Sequence, residues 1–293
     1  MKDSFGRRVG SYLSLVKFAH TVFAMPFALI GFFYGLKTTG YALQRPWWIL
    51  FILVILCMVF ARSAAMAFNR WLDAAYDSEN PRTAVREIPE GRISKKNAML
   101  FVICNGIAFI ITTACINLIC LVLAPVALFV VLFYSYTKRF TPLCHLVLGL
   151  GLSLAPIGAF IAVTGHFALV PVLFSLSVLF WVSGFDIIYA LQDEEFDKKH
   201  HLHSIPSWLG PGRALRVSGY LHFLSAASVL AAGIAGDFSW MYWGGVAIFA
   251  FFLMYQHTLV RPGDLSKVNK AFFGSNGIAS VVFCVFVLLD IFI

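Results

Sequence analysis

The chain of 293 residues is 60% hydrophobic and only 12% charged, with a mean hydropathy of +0.84 and a formal net charge of +8. Soluble domains carry about 25% charged residues, so this composition excludes a soluble enzyme or aqueous binding module and indicates an integral membrane protein. The apolar runs lack the period-two alternation of barrel strands, so the expected fold is all-α and polytopic.

In chain order, Met1 to Lys17 is polar and basic, and no A-x-A-like cleavage site follows a short apolar region, so the first apolar run is expected to be a retained helix. Nine runs are predicted to cross the bilayer, at about 19–36, 46–68, 97–117, 119–136, 143–164, 168–190, 214–235, 239–260 and 271–292. The third and fourth merge around Asn117 and need a very short connection. No connection is long enough for a soluble domain, so residues 1–293 read as one membrane domain. With nine crossings, the N-terminus and connections 2–3, 4–5, 6–7 and 8–9 share one side and hold nearly all the Lys and Arg, whereas the other side has only Lys37 and Arg45. The positive-inside rule makes the basic side, and the N-terminus, cytoplasmic. The positive charge follows from topology and from an anionic substrate; it calls for no nucleic acid, and no obligate protein partner is indicated.

Two connections on the basic side carry acids. The second run leads into Asn69-Arg-Trp-Leu-Asp73-Ala-Ala-Tyr-Asp77, and the sixth into Asp186-Ile-Ile-Tyr-Ala-Leu-Gln-Asp193-Glu-Glu-Phe-Asp197. On a continuing helix the offsets of four and seven put each set on one face. Carboxylates beside a bilayer are costly and mark function. Two such faces, four helices apart in corresponding positions, read as two halves of one divalent-metal site. Five carboxylates converging without counter-charge would repel, and Mg2+ relieves this while binding substrate phosphates. Two ions could bridge a diphosphate between the clusters, which makes a receptor for a phosphorylated lipid. Tyr189 lies close to the second face, while Glu194 and Glu195 point elsewhere and are expected in solvent.

The cations a diphosphate needs lie nearby. Arg82, Arg86 and Arg92 follow the first cluster in a segment whose Pro81, Pro89 and Gly91 predict a shaped loop. Tyr134 and Lys138 share a face at the end of the fourth run; Lys138 and Arg139 also fit plain positive-inside anchoring. Arg62 lies seven residues before Asn69 on the same face, roughly 10 Å deeper at 1.5 Å per residue. An isolated intramembrane Arg costs about 2.5–3.5 kcal/mol, so it is expected to face a polar cavity, as an anion contact or as the partner of a carboxylate. Lys17 and His20 open the first run, where His20 lines the cavity or caps the helix. His200, His201 and His203 match no zinc spacing and read as a solvated loop, and His145, His166, His222 and His257 have no assigned role. All six cysteines fall in apolar runs and read as small hydrophobes, without disulfide or thiolate-metal patterning. No Walker loop, GxGxxG or nucleophile elbow is present.

Asn69-xxx-Asp73-xxx-Asp77 with Asp193-xxx-Asp197 resembles the paired motifs of the UbiA superfamily of intramembrane prenyltransferases, and Tyr134-xxx-Lys138 resembles that family's YxxxK motif. The resemblance covers nearly the whole chain. Asp186-Ile-Ile-Tyr-Ala-Leu-Gln-Asp193 and His203-Ser-Ile-Pro-Ser-Trp-Leu-Gly210 are similar to the bacterial 4-hydroxybenzoate polyprenyltransferase branch, which includes relatives assigned to menaquinone synthesis by the futalosine route. The resemblance implies about nine helices around a central cavity, Mg2+ held by Asp73, Asp77, Asp193 and Asp197 to bind a polyprenyl diphosphate, Asn69 helping to hold the metal or the diphosphate, and Lys138 with the loop arginines Arg82 and Arg86 stabilising the leaving diphosphate; Tyr134, Asp186 and Tyr189 are further candidate substrate-binding residues. An aromatic acid acceptor would attack the allylic cation, with Arg62 as a candidate for its carboxylate. The implied setting is the lipid bilayer of a bacterial inner membrane, with the site near its cytoplasmic face. A dihydroxynaphthoate acceptor is the alternative within the branch; chlorin, haem and homogentisate prenylation fit the local text less well. A polytopic transporter is the rival from another class, but broken helices at the midplane would be expected there, and these acids cluster at one membrane edge.

Overall fold

A computed structural model describes residues 10–15, 25–43 and 45–293, so Lys17, His20 and the start of the first predicted run lie outside the described residues. Residues 10–15 are helical. The helices that follow are α1 (Met25–Thr39), α2 (Trp47–Leu72), α3 (Ala74–Glu79), α4 (Lys95–Ala114), α5 (Leu118–Thr137), α6 (Cys144–Thr164) and α7 (Leu169–Ala190). A 3-10 turn (Leu191–Asp193) leads to α8 (Glu194–Lys199), then come α9 (Ile205–Leu209), α10 (Pro211–Ala235), α11 (Trp240–Leu259) and, behind a π-helical turn at Lys270–Ser275, α12 (Asn276–Phe292). Among the described residues there is no strand, only an isolated bridge from Arg261 to Asp264.

Every predicted run falls on one of the long helices. Seven of these are long and apolar enough to cross a membrane: α2, α4, α5, α6, α7 with its extension to Lys199, α10, and α12 with its π turn. The other two are α1, which has 15 described residues, and α11, which ends in the polar Gln256, His257 and Thr258. Asn117, where two predicted runs merge, is the N-cap that separates them. Its Oδ1 accepts from the Cys120 amide at 2.8 Å and its Nδ2 donates to the Ile161 carbonyl at 2.9 Å, which ties the turn to α6.

Helices in lipid gain little from the hydrophobic effect and associate through close packing and small residues. The packing here is of that kind. A Cβ at Gly149 would overlap the Ser183 hydroxyl and the Leu179 carbonyl, so only glycine lets α6 approach α7 this closely. Gly31 of α1 is likewise pressed against the Pro156 carbonyl of α6. Around α7, Trp181 and Phe174 pack with Phe27, Tyr242, Phe249 and Phe283 in a buried aromatic core.

The two acid clusters do not lie on continuous helical faces. Helix α2 stops at Leu72, and Asp73 stands at the joint with φ −89° and ψ 5° before the six-residue α3. Asp193 stands at the matching joint after α7, with φ −105° and ψ 3°, before the six-residue α8. Both are in the sparsely populated bridge region where many active-site residues sit. The duplication suggested by the sequence is therefore present as geometry: long helix, aspartate at the joint, six-residue helix bearing the second aspartate. Each corner turns the acids out of line.

Candidate active site

The C-terminal ends of α2, α5 and α7 and the start of α6 enclose a cavity of about 300 Å³. Arg92 pairs with Glu90 at 2.6 Å away from this cavity, whereas the other candidate site residues from the sequence line it: Arg62, Asn69, Asp73, Asp77, Arg82, Arg86, Tyr134, Lys138, Asp186, Tyr189, Asp193 and Asp197. Glu194 and Glu195 do not; Glu195 is exposed, but Glu194 is half-buried and paired with Lys198 at 2.6 Å rather than free in solvent.

The expectation of carboxylates without counter-charge is wrong. Asp73 is paired with Arg139 at 2.8 Å, Asp77 with Arg86 at 2.6 Å, Asp193 with Arg82 at 2.6 Å and Asp197 with Lys138 at 2.7 Å. Asp186 meets His145 Nδ1 at 2.7 Å. The reason is desolvation: a carboxylate shielded from water costs several kcal/mol unless an opposite charge or hydrogen-bond donor meets it. Because the corners at Asp73 and Asp193 aim the acids at different elements, each finds its own partner. No three His, Cys, Asp or Glu side chains among the described residues converge at metal-binding separation.

Electrostatics at the mouth follow from these pairs. Burial pushes the Asp73 carboxyl above the ordinary carboxylate range, with Arg139 opposing it only in part. Burial also works against the Lys138 ammonium, but Asp197, Asp193 and Asp73 outweigh it and hold its pKa above the usual lysine value. Arg82 bonds both oxygens of Asp193, donates to the Tyr189 hydroxyl at 3.3 Å and lies 5.6 Å from the centre of its ring.

The oxygen set suits a hard divalent cation. The Oδ2 atoms of Asp77 and Asp197 are buried with no hydrogen-bond donor, and Asn69, which donates to Asp73 at 3.1 Å, keeps its amide oxygen for another partner. The cavity also suits an anion. Arg62 pairs with no carboxylate among the described residues and its Nε is buried without an acceptor, so it is not a structural ion-pair partner.

Three residues of the site were not singled out from the sequence. Arg139, for which the sequence offers only positive-inside anchoring, holds Asp73 and donates to the Ser135 and Leu72 carbonyls at 3.0 and 3.2 Å. Arg70 is 3% exposed and faces the cavity, with Nε and Nη1 unpartnered. Arg70 lies past the predicted run at 46–68, so the intramembrane cost that singles out Arg62 does not reach it, and only its burial in the fold marks it. His145, also in the wall, carries no local signal beyond being a polar side chain in an apolar run. The 200–203 histidines form no metal group; His200 stacks on Phe196 with ring centres 4.1 Å apart.

Beyond Arg62 and Tyr134, which line both spaces, a second cavity of about 370 Å³ runs between α2, α4, α5 and α6. Its wall is apolar, with residues such as Val54, Phe109, Leu123 and Val131.

Fold and site together define an integral membrane protein whose polar cavity of paired acids and cations, built by two matching helix-joint-helix units, adjoins an apolar cavity among its helices. The model of the UbiA prenyltransferase family matches residues 18–277, and the chain belongs to that family. It is 30% identical over 243 residues to a 4-hydroxybenzoate octaprenyltransferase of Aeromonas salmonicida, covering 82% of this chain and 83% of the relative. A 4-hydroxybenzoate octaprenyltransferase of Francisella tularensis subsp. novicida is 28% identical over 231 residues, covering 79% and 81%. The apo structure of a UbiA homologue from Aeropyrum pernix K1 superposes with a TM-score of 0.82 at 30% identity, over 93% of this chain and 98% of that one. A UbiA homologue from Archaeoglobus fulgidus bound to DMAPP and Mg2+ has the same fold, with a TM-score of 0.74 at 20% identity over 97% and 99%.

Proposed function

We propose that this protein transfers a polyprenyl group from polyprenyl diphosphate to an aromatic acid acceptor of the 4-hydroxybenzoate type and releases diphosphate. The observation that carries this reading is the pairing of two cavities: a charged one at the helix ends and an apolar one behind it, joined at Arg62 and Tyr134. A prenyl diphosphate has the same division, a charged head and an apolar tail. The names of the relatives support the acceptor class.

Asp73, Asp77, Asp193 and Asp197, with Asn69, would hold Mg2+. When bound, Mg2+ supplies Lewis acidity toward the diphosphate oxygens. The chain's own cations bind the rest of the head group. Arg82 and Arg86, with side chains 35% and 21% exposed, can exchange their carboxylates for phosphate oxygens, and the same exchange frees Asp193 and Asp77 for the metal. Lys138 and Arg70 add positive charge where the leaving diphosphate develops its own, which is transition-state stabilisation by prearranged charges. The allylic carbon is released next to apolar walls that exclude water, and a ring carbon of the acceptor attacks it. Arg62, deeper in the cavity, holds the acceptor carboxylate. On this reading residues 1–293 act as one domain of a bacterial inner membrane protein, with the charged cavity at the cytoplasmic face.

The test is an acceptor panel in liposomes with one long-chain prenyl diphosphate and mass spectrometry of the products. Prenylated 4-hydroxybenzoate with Mg2+-dependent release of diphosphate is expected, and Asp73→Ala and Asp193→Ala should each abolish it while the protein still inserts. Preference for a dihydroxynaphthoate would move the acceptor assignment within the family. No transfer to any aromatic acid, or full activity in both variants, would overturn the reading.

A further inference from the structure

We propose that Asp186 is the base that removes the ring proton from the aromatic acceptor, and that His145 is the positioning residue that keeps it a free, correctly aimed carboxylate. This rests on the prenyl-transfer reading above. Of the five aspartates lining the cavity, four are held by Lys or Arg: Asp73, Asp77, Asp193 and Asp197. Asp186 alone among them is held by an imidazole, at 2.7 Å, and its side chain is 24% exposed to the cavity.

The protonation of that imidazole is fixed by its other nitrogen. His145 is 2% exposed, and its Nε2 faces the backbone N–H of Ile205 at 3.3 Å. An amide can only donate, so Nε2 is the acceptor and the proton sits on Nδ1, which donates to Asp186 Oδ2. In the proposed arrangement the imidazole is neutral, with its single proton on Nδ1. It orients the carboxylate without neutralising it, leaving Asp186 Oδ1 free for a proton. The ring is placed by helix packing: α6 and α7 meet closely at Gly149, and Ser183 on α7 donates to the His145 carbonyl at 3.1 Å.

Depth separates Asp186 from the diphosphate layer. It precedes Asp193 by seven residues and Arg62 precedes Asp73 by eleven, so at about 1.5 Å per residue they lie roughly 10 Å and roughly 16 Å deeper than those metal-binding aspartates. At that level the wall also offers Leu148, Leu152, Val182 and Phe185, an apolar setting for an aromatic ring whose carboxylate meets Arg62. The step balances as follows. The allylic C–O bond breaks and its electron pair leaves with diphosphate. A ring carbon beside the acceptor hydroxyl forms the new C–C bond with a π pair. The C–H bond at that carbon then breaks, its electrons restore the aromatic ring, and the proton passes to Asp186, which returns it to water in the cavity.

The experiment uses the full-length protein in liposomes with 4-hydroxybenzoate carrying hydrogen or deuterium at the attacked position. In the wild type, deuterium is expected to leave the rate unchanged, with C–O cleavage slower than proton loss. Asp186→Asn is expected to lower kcat by ~10²-fold or more, the size of a lost general base, and to expose a primary isotope effect because proton removal becomes slow. His145→Ala is expected to lower kcat by ~10²-fold through misplacement with little change in KM, and His145→Asn, whose amide N–H can reach Asp186, is expected to recover part of it. Nitrogen-15 spectra of labelled protein should show His145 as the neutral Nδ1–H tautomer in the absence of substrate. A slow Asp186→Asn variant with no isotope effect, an Asn variant no better than Ala at 145, or the Nε2–H tautomer would overturn this proposal alone. Failure of the wild type to prenylate any phenolic acid would overturn it together with the reading it rests on.

Discussion

Lys138→Ala should separate what the Lys138–Asp197 pair does for the fold from what it does for chemistry. The Asp197 side chain is 1% exposed and that of Lys138 33%, with 2.7 Å between them. Removing the ammonium leaves a buried carboxylate whose Oδ2 already lacks a donor. Breaking a buried pair in this way costs about 3–5 kcal/mol; because one partner reaches solvent, the lower end, about 3 kcal/mol, applies, or about a hundredfold in the folded-to-unfolded ratio. Removing both charges deletes the orphan, so Lys138→Ala/Asp197→Ala should be more stable than Lys138→Ala alone, by ~2 kcal/mol if most of the penalty is the stranded charge. The assay is thermal unfolding in detergent, followed by retention of the monodisperse peak. Both variants should be inactive, since the double variant restores stability but neither charge. A single variant as stable as wild type, or a double variant that loses the sum of both single effects, would refute the reasoning.

Three further outcomes follow from the site. Arg62→Ala should raise KM for an acceptor bearing a carboxylate by ~10- to 100-fold, the loss of a charged hydrogen bond worth about 1.5–3 kcal/mol, and leave KM for prenyl diphosphate unchanged; equal effects on both substrates would remove Arg62 from the acceptor. Since burial raises the Asp73 carboxyl above its usual pKa, the native state holds that proton more tightly than the unfolded chain. Its stabilising contribution is complete in acid and is lost as pH rises through the raised value, so Asp73→Asn should flatten the fall of melting temperature across that interval, and an unchanged profile would contradict the shift. Gly31→Ala drives a methyl into the Pro156 carbonyl, and should lower stability by about 1–3 kcal/mol as overpacking does, read as a drop in the same thermal assay.

The sequence and the structure agree where the controlling physics is local or additive along the chain. Partition into lipid depends on the summed hydropathy of about twenty residues, so every long helix was anticipated and Asn117 alone marks the division between α4 and α5. The placement of Asp73, Asp77, Asp193 and Asp197 just beyond apolar runs, and of Lys138 four residues after Tyr134, was likewise legible, and all of them line one cavity. Less legible were the corners. An unbroken helix would align Asn69, Asp73 and Asp77, but nothing in the local residue types announces that Asp73 and Asp193 adopt bridge-region backbones.

Hydropathy and the spacing of the acids were determined by the sequence alone, because each is a property of short segments of the chain. The tertiary structure alone decided which cation meets which acid: Arg139, just past the end of α5, reaches Asp73 across 66 positions, Arg82 reaches Asp193 across 111, and His145 reaches Asp186 across 41. Those partners are chosen by helix packing, because a carboxylate taken out of water must be met by whatever donor the fold brings within a few ångströms.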